Sequence, residues 1–236
     1  MSYSVLYQDI GVRDYKEVWE MQEKIFGRLI GNKLHEHQSN SHDENPDSGT
    51  LIFVEHPNVY TLGKSGSENN LLIDHIQLQT KDAKFFRTDR GGDITYHGPG
   101  QIVGYPIFDL ERLKLSLKEY IHRLEEAIIM TVSQFGIPGS RLEGATGVWL
   151  NTDKKGKTRK ICAIGVRASR YVTMHGFAFN VNTDLTYFDF INPCGFTDKG
   201  VTSLEKELGE KQDFEAVKLI VKDNLQKAFK LKWINK

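Results

Sequence analysis

Cysteine is scarce: Cys162 and Cys194 are the only two in 236 residues. Two thiols make no disulfide framework, and they fit a reducing compartment. Neither sign of charge is in excess, because Lys+Arg and Asp+Glu are both 31 and the formal net charge is zero. No global field therefore draws a nucleic acid, and any charge-based recognition must come from local patches. Apolar runs extend for only a few residues, too short to span a membrane. The start, MSYSVLYQDIG, has neither the basic n-region nor the apolar h-region of a secretory signal. The expected setting is the cytoplasm, with no membrane and no nucleic-acid partner. The dinucleotide fingerprint GxGxxG and the phosphate loop GxxxxGK[ST] are both missing, so no nucleotide cofactor is expected. What is present is ordinary for a globular enzyme, with 39% hydrophobic and 26% charged residues, and it is enough for one large domain with a core.

Apolar spacing predicts an opening strand at residues 3–8. A helix is predicted over 13–30, where Tyr15, Val18, Met21, Ile25, Phe26 and Leu29 share a face and Asp14 is placed to cap. Residues 31–49, GNKLHEHQSNSHDENPDSG, are polar and aperiodic. They read as a solvated surface insertion rather than a metal site, because nothing places His35, His37 and His42 on a shared face. Strand-like runs follow at 51–55, 84–88 and 101–108. Two amphipathic helices are predicted, one through Leu117–Phe135 and one through Phe214–Phe229. Between them lie strand-like runs at 147–150, 160–168 and 171–181, the last two joined by a tight connection at 168–170, while 153–158 forms a turn. There is no repeated βα rhythm and no domain linker. The expected architecture is a single catalytic domain over 1–236 in the α/β (α+β) class, with a mixed, largely antiparallel sheet flanked by helices.

Three segments carry candidate chemistry. Residues 90–101, RGGDITYHGPGQ, concentrate Gly91, Gly92, Gly98 and Gly100 between strand-like runs, which suits main chain lying against a flat or extended ligand. Arg90 there can bind an anion or a carbonyl and His97 can donate hydrogen bonds. The alternative is a rigid hairpin in which His97 and Asp93 only hold the turn. Cys194 in INPCGFTDKG sits between Pro193 and Gly195. A thiol presented at such a turn has free N–H groups nearby for an oxyanion, whereas a core cysteine rarely sits in a polar loop. Lys160 ends the basic run KKGKTRK and directly precedes the apolar strand ICAIGV. It reads either as the end of a solvated hairpin or as an ammonium projecting into a pocket. Cys162, within that strand, reads as structural. An ammonium near a thiol lowers its pKa from about 8.5 and raises the thiolate fraction, so a Cys–Lys pair suits acyl transfer through a thioester. Exchange between thioesters is nearly balanced and passage to an amine is downhill, so no ATP is required.

RGGDITYHGPGQ, RKICAIGVR, HGFAFNV and INPCGFTDKGVTSL resemble, in this order, the signature segments of the lipoyl(octanoyl) transferase family. LIFVEHPNVYTLGKSG is similar to its N-terminal block, so the resemblance spans about Leu51 to Leu204. It implies a fold similar to the catalytic domains of the biotin and lipoate protein ligases. It implies transfer of an octanoyl group from octanoyl-acyl carrier protein to a lysine of lipoyl domains, those of 2-oxoacid dehydrogenase complexes and of the glycine cleavage H protein. By matching motif, Cys194 is the implied nucleophile and Lys160 the residue that lowers its pKa and acts as acid/base. Arg90, Gly91, Gly92, Asp93, Ile94, Thr95, Tyr96 and His97 are the implied wall of the acyl pocket, with Ala163, Ile164, Gly165, Gly176, Phe177 and Ala178. No cofactor and no metal are implied. Cys162 stands where a small residue such as alanine or glycine is expected. The competing readings are an ATP-dependent lipoate ligase on the same fold, a thioesterase, and a non-catalytic acyl-binding protein.

Overall fold

The structure is a computed structural model that describes residues 3–39, 48–192 and 199–234. The chain opens with strand β1 (Tyr3–Val12) and helix α1 (Tyr15–Ser39), followed by β2 (Gly49–Glu55) and β3 (Val59–Leu62). Next come α2 (His75–Thr80), β4 (Lys84–Arg87), β5 (Ile94–His97), β6 (Gln101–Phe108) and α3 (Leu117–Gln134). Strands β7 (Gly139–Leu142), β8 (Ala145–Leu150), β9 (Arg159–Ser169) and β10 (Val172–Asn180) lead to a 3-10 helix at Leu185–Phe190. The last elements are β11 (Gly200–Val201), α4 (Leu204–Leu208), α5 (Phe214–Phe229) and β12 (Leu231–Ile234).

Nine strands form one sheet in the order β12-β1-β2-β6-β10-β9-β8-β7, with β11 added beside β9. Strand β1 is parallel to both of its neighbours and β11 is parallel to β9, while the remaining pairs are antiparallel. The expected mixed, largely antiparallel sheet is therefore present. Both of its faces are covered. Tyr120, Leu124 and Ile128 of α3 and Val217, Val221 and Phe229 of α5 pack with Leu51 and Phe53 on one face. Val18, Phe26 and Leu29 of α1 pack with Ile52 and Val54 on the other. This double burial is why β2 is a continuous apolar run without polar alternation. A second sheet, β4-β3-β5, has its own small core around Tyr60, Ile94 and Tyr96, closed by the 3-10 helix.

Helix starts follow local chemistry. Asp14 Oδ1 accepts from the Lys16 N–H at 2.9 Å, as expected of a cap, and Ser116 and Glu119 form a reciprocal capping box at the start of α3. Helix α1 does not stop at residue 30. It runs through Ser39, so the first nine residues of the stretch read as a solvated loop are helical. The reason is tertiary: Lys33 is buried, and its Nζ lies 2.9 Å from Asp109 and 2.7 Å from Glu111, which anchors a turn that has no apolar periodicity. His35 is exposed on this helix, and among the described residues no cluster of His, Cys, Asp or Glu is placed to hold a metal ion. His42 lies outside the described residues. The β9–β10 hairpin turns at Arg170 and Tyr171, with φ of 48° and 60°, one residue beyond the expected position. That pair of left-handed residues matches the twist of the strands. Among the described residues no helix is long and apolar enough to cross a membrane.

Candidate active site

A cavity of about 840 Å³ opens along the β9–β10 hairpin. Arg90, Gly91, Gly92, Asp93, Ile94, Thr95 and His97 line one side. Lys160, Ala163, Ile164 and Gly165 on β9, and Gly176, Phe177 and Ala178 on β10, line another. Residues 90–101 are not one loop, because Ile94–His97 pairs with β3 as a strand. Strand alternation then turns Tyr96 away from the cavity. Its ring is fully buried in the small core, stacked 4.8 Å from Tyr187, and its hydroxyl donates to Asn58 Oδ1 at 2.7 Å. Tyr96 is the one implied pocket residue among those described that the structure does not bring to the cavity.

The glycines allow close approach of main chain. A Cβ on Gly165 would lie 2.9 Å from the Gly91 carbonyl oxygen, and one on Gly176 would lie 2.1 Å from the Gly104 carbonyl oxygen. The glycine loop thus crosses β9 in contact, held by the Gly91 N–H donating to the Val166 carbonyl at 2.8 Å. Arg90 fastens the same loop to β3. Its Nη2 donates to the Thr61 carbonyl at 2.5 Å, its Nε to Thr61 Oγ1 at 3.3 Å, and its Nη1 to the Gly91 carbonyl at 3.0 Å. The guanidinium therefore holds the wall of the cavity through its own chain's carbonyls.

His97 is buried and its ring stacks on Tyr15, with centroids 6.1 Å apart. Nδ1 lies 2.9 Å from Gln101 Oε1. Burial, reinforced by nearby His56, pushes its pKa down to about 3, so the ring is neutral at physiological pH. His175, Gln101 and Asn180 also line the cavity, and the sequence reading passes over all three. The His-Gly pair opening HGFAFNV is the available signal for His175. Its Nε2 lies 2.7 Å from Asp89 Oδ1, and the other Asp89 oxygen pairs with Arg167. The hydrogen bond from His175, together with Arg167, holds the Asp89 carboxyl below the usual carboxylate range. His175 has a φ of 61° in mid-strand, an uncommon conformation for a residue with a side chain.

Lys160 reaches the cavity because β9 bulges. Trp149 pairs with Lys160 and Val148 with Cys162, which leaves Ile161 as an extra residue on β9. Ile161 and Cys162 are consecutive and both fully buried in the main core, while Lys160 and Ala163 on either side line the cavity. A bulge is a recurrent means of re-aiming a side chain beside a site. Lys160 Nζ lies 4.5 Å from the centre of the Trp149 ring, a cation–π contact. Burial pushes the Cys162 thiol far up, so this cysteine is a core residue with no thiolate character. Cys194 lies outside the described residues. Asn192 and Lys199, the described residues on either side of its segment, both line the cavity.

Residues 14–226 match the family model of the lipoyl protein ligase A/B catalytic domain. An octanoyltransferase of Flavobacterium johnsoniae is 54% identical over 219 residues, 92% of this chain and 93% of that protein. An octanoyltransferase of Porphyromonas gingivalis is 51% identical over 95% of this chain, which spans only 43% of that longer protein. Among solved structures, lipoate-protein ligase A bound with ATP superposes with a TM-score of 0.69 at 12% identity, over 100% of this chain and 89% of that one. A biotin protein ligase from Aquifex aeolicus in complex with biotin and ATP reaches a TM-score of 0.51 at 14% identity, over 96% of this chain and 70% of that one.

Proposed function

Because the chain belongs to the lipoyl protein ligase A/B catalytic-domain family, we propose that it is an octanoyltransferase, an acyltransferase that delivers octanoyl groups to lipoyl domains. The observation that carries this reading is the cavity itself. Apolar and glycine main-chain walls run from the loop at Arg90 along β9 to a single cavity-facing lysine on that strand. An eight-carbon chain needs an apolar slot, and a reacting carbonyl needs polar groups at its mouth.

In the proposed reaction the Cys194 thiolate adds to the carbonyl of octanoyl-acyl carrier protein. The carrier's thiol leaves, taking a proton, and the octanoyl group stays on sulfur as a thioester. The amine of the lipoyl-domain lysine then attacks, an amide forms, and Cys194 departs as thiolate. Lys160 favours that thiolate by its charge and passes the proton between the two steps. The acceptors are the lipoyl domains of 2-oxoacid dehydrogenase complexes and the H protein. Incubation with octanoyl-acyl carrier protein is expected to add one octanoyl mass to Cys194, read by peptide mass spectrometry, and Cys194→Ala should lose both the adduct and transfer. Full transfer by that variant, or ATP-dependent attachment of free lipoate undiminished in it, would sink the proposal in favour of a ligase.

A basic rim is the proposed landing place of the donor. Lys154, Lys155 and Lys157 are exposed on the turn between β8 and β9, and Lys199 and Lys206 line the cavity near it. Strand β11 brings these groups together, since Gly200 pairs with Arg159. An acidic carrier protein is drawn to such a rim. Charge reversal at Lys154, Lys155 and Lys157 should slow adduct formation and weaken its salt dependence, and an unchanged rate would remove this rim from the reading.

A further inference from the structure

Five side chains and one main-chain carbonyl beside the cavity form a chain of hydrogen bonds in which every donor points the same way. The Thr202 carbonyl can only accept, so the group 2.9 Å from it is the Asn180 amide nitrogen. Asn180 Oδ1 then faces Gln101 at 2.8 Å and receives its Nε2–H. The same Nε2 lies 3.2 Å from the Tyr96 carbonyl, a second group that can only accept, which fixes the Gln101 amide independently. Gln101 Oε1 is left to face His97 Nδ1 at 2.9 Å, so Nδ1 carries the ring proton and Nε2 is the acceptor. Thr61 Oγ1 lies 3.4 Å from Nε2. It already accepts from Arg90 Nε and Nη2, at 3.3 and 3.0 Å, so its own hydrogen is free for the imidazole. The chain thus starts on a permanent cation and ends at Thr202. Beyond that residue, the Thr202 N–H donates to the Lys160 carbonyl at 2.9 Å. Thr61, Arg90, His97, Gln101, Asn180 and Thr202 are all buried. Links aligned head to tail in a low dielectric polarise one another, and reversing one leaves buried groups unpaired.

We infer that Gln101 and Asn180 are positioning residues for Lys160, and that His97 is a neutral link between them and Arg90 rather than an acid or base. The inference rests on the proposed transferase reaction for the role of Lys160. The two-residue strand β11 is the edge against which the Lys160 backbone is held, and the Asn180 bond to Thr202 keeps that edge in place. One chain therefore fixes both ends of the cavity, the glycine loop through Arg90 and the lysine through Thr202.

Two measurements test it. In protein carrying ¹⁵N-imidazole labels, His97 should show a protonated Nδ1 and an unprotonated Nε2, with no titration between pH 5 and 8. A protonated Nε2, or a titration in that range, would overturn the chain, and this readout needs neither a variant nor any particular reaction. Glutamate at 101 accepts only, so Gln101→Glu cannot donate to Asn180 or to Tyr96. The variant should lose roughly tenfold in kcat for octanoyl transfer with little change in KM for the donor. Around His97 stand Thr61, the Tyr15 ring, His56, Arg90 and His175, none of them anionic. The new carboxylate should therefore raise the His97 pKa and add an ionisation to the pH–rate profile. A wild-type kcat and profile in Gln101→Glu would overturn the positioning role, whereas loss of the Cys194 adduct in unmodified protein would count against the proposed reaction and leave the tautomer assignment standing.

Discussion

Gly165 is where β9 passes beneath the glycine loop, with the Gly91 oxygen 2.9 Å from where a methyl group would sit. A neighbour made of backbone does not yield easily, so Gly165→Ala must push the loop outward or narrow the slot, at a cost of about 1–3 kcal/mol. The expected outcome is a folded protein whose KM for octanoyl donors rises more than its kcat falls, measured by steady-state transfer, and unchanged kinetics would show that the loop moves freely. Single residues were unevenly legible. Gly91 stands out in the chain because the glycine density of residues 90–101 needs a close approach, and the structure provides one, whereas Gly165 and Gly176 are signalled only by the family resemblance. Arg90 does not disclose its role, since an arginine that binds a ligand and one that binds Thr61 are the same letter. Tyr96 is misplaced for a reason of parity: within a strand every second side chain faces the other way.

Helix α1 illustrates what periodicity can and cannot reveal about an element. Its first four turns carry an apolar stripe, whereas its last nine residues are mostly polar and are held by Lys33. Removing that ammonium leaves the buried Asp109 facing Arg112 and backbone N–H groups. Breaking a buried pair from one side costs roughly 3–5 kcal/mol. Lys33→Ala should lower the urea midpoint accordingly and deprotect the amides of residues 31–39 in hydrogen exchange, and normal protection there would mean that the helix end stands by itself. Helices α3 and α5 are legible in full because each buries one face on the sheet, and β6 because both of its faces are covered. Strands β3 and β5, four residues each, escape notice, although β4 in the same small sheet does not. The bulge that aims Lys160 is likewise invisible in the chain, as it depends on the register of β8.

For the molecule as a whole, acid is the expected weakness. Burial holds His56 at about 4 and His97 at about 3, and His175 is also lowered. Unfolded, the same imidazoles take up protons from about pH 6.5 downward. Between those limits the unfolded chain binds more protons than the native one, so stability must fall as pH falls, by an amount on the order of several kcal/mol. Thermal melts from pH 7 to 4 should show a steadily falling Tm, with a shallower slope in His56→Gln, and a flat profile would mean that these rings titrate in place. The order of the strands has a further bearing, on biosynthesis. Strand β1 is made some 200 residues before residues 231–234, the partner on its outer flank. Until then a ten-residue strand with apolar neighbours presents bare N–H and C=O groups on a ribosome-bound chain. Nascent copies on one polysome can pair through that edge, so the yield of soluble protein should depend on chaperones during translation more than on the stability of the finished fold.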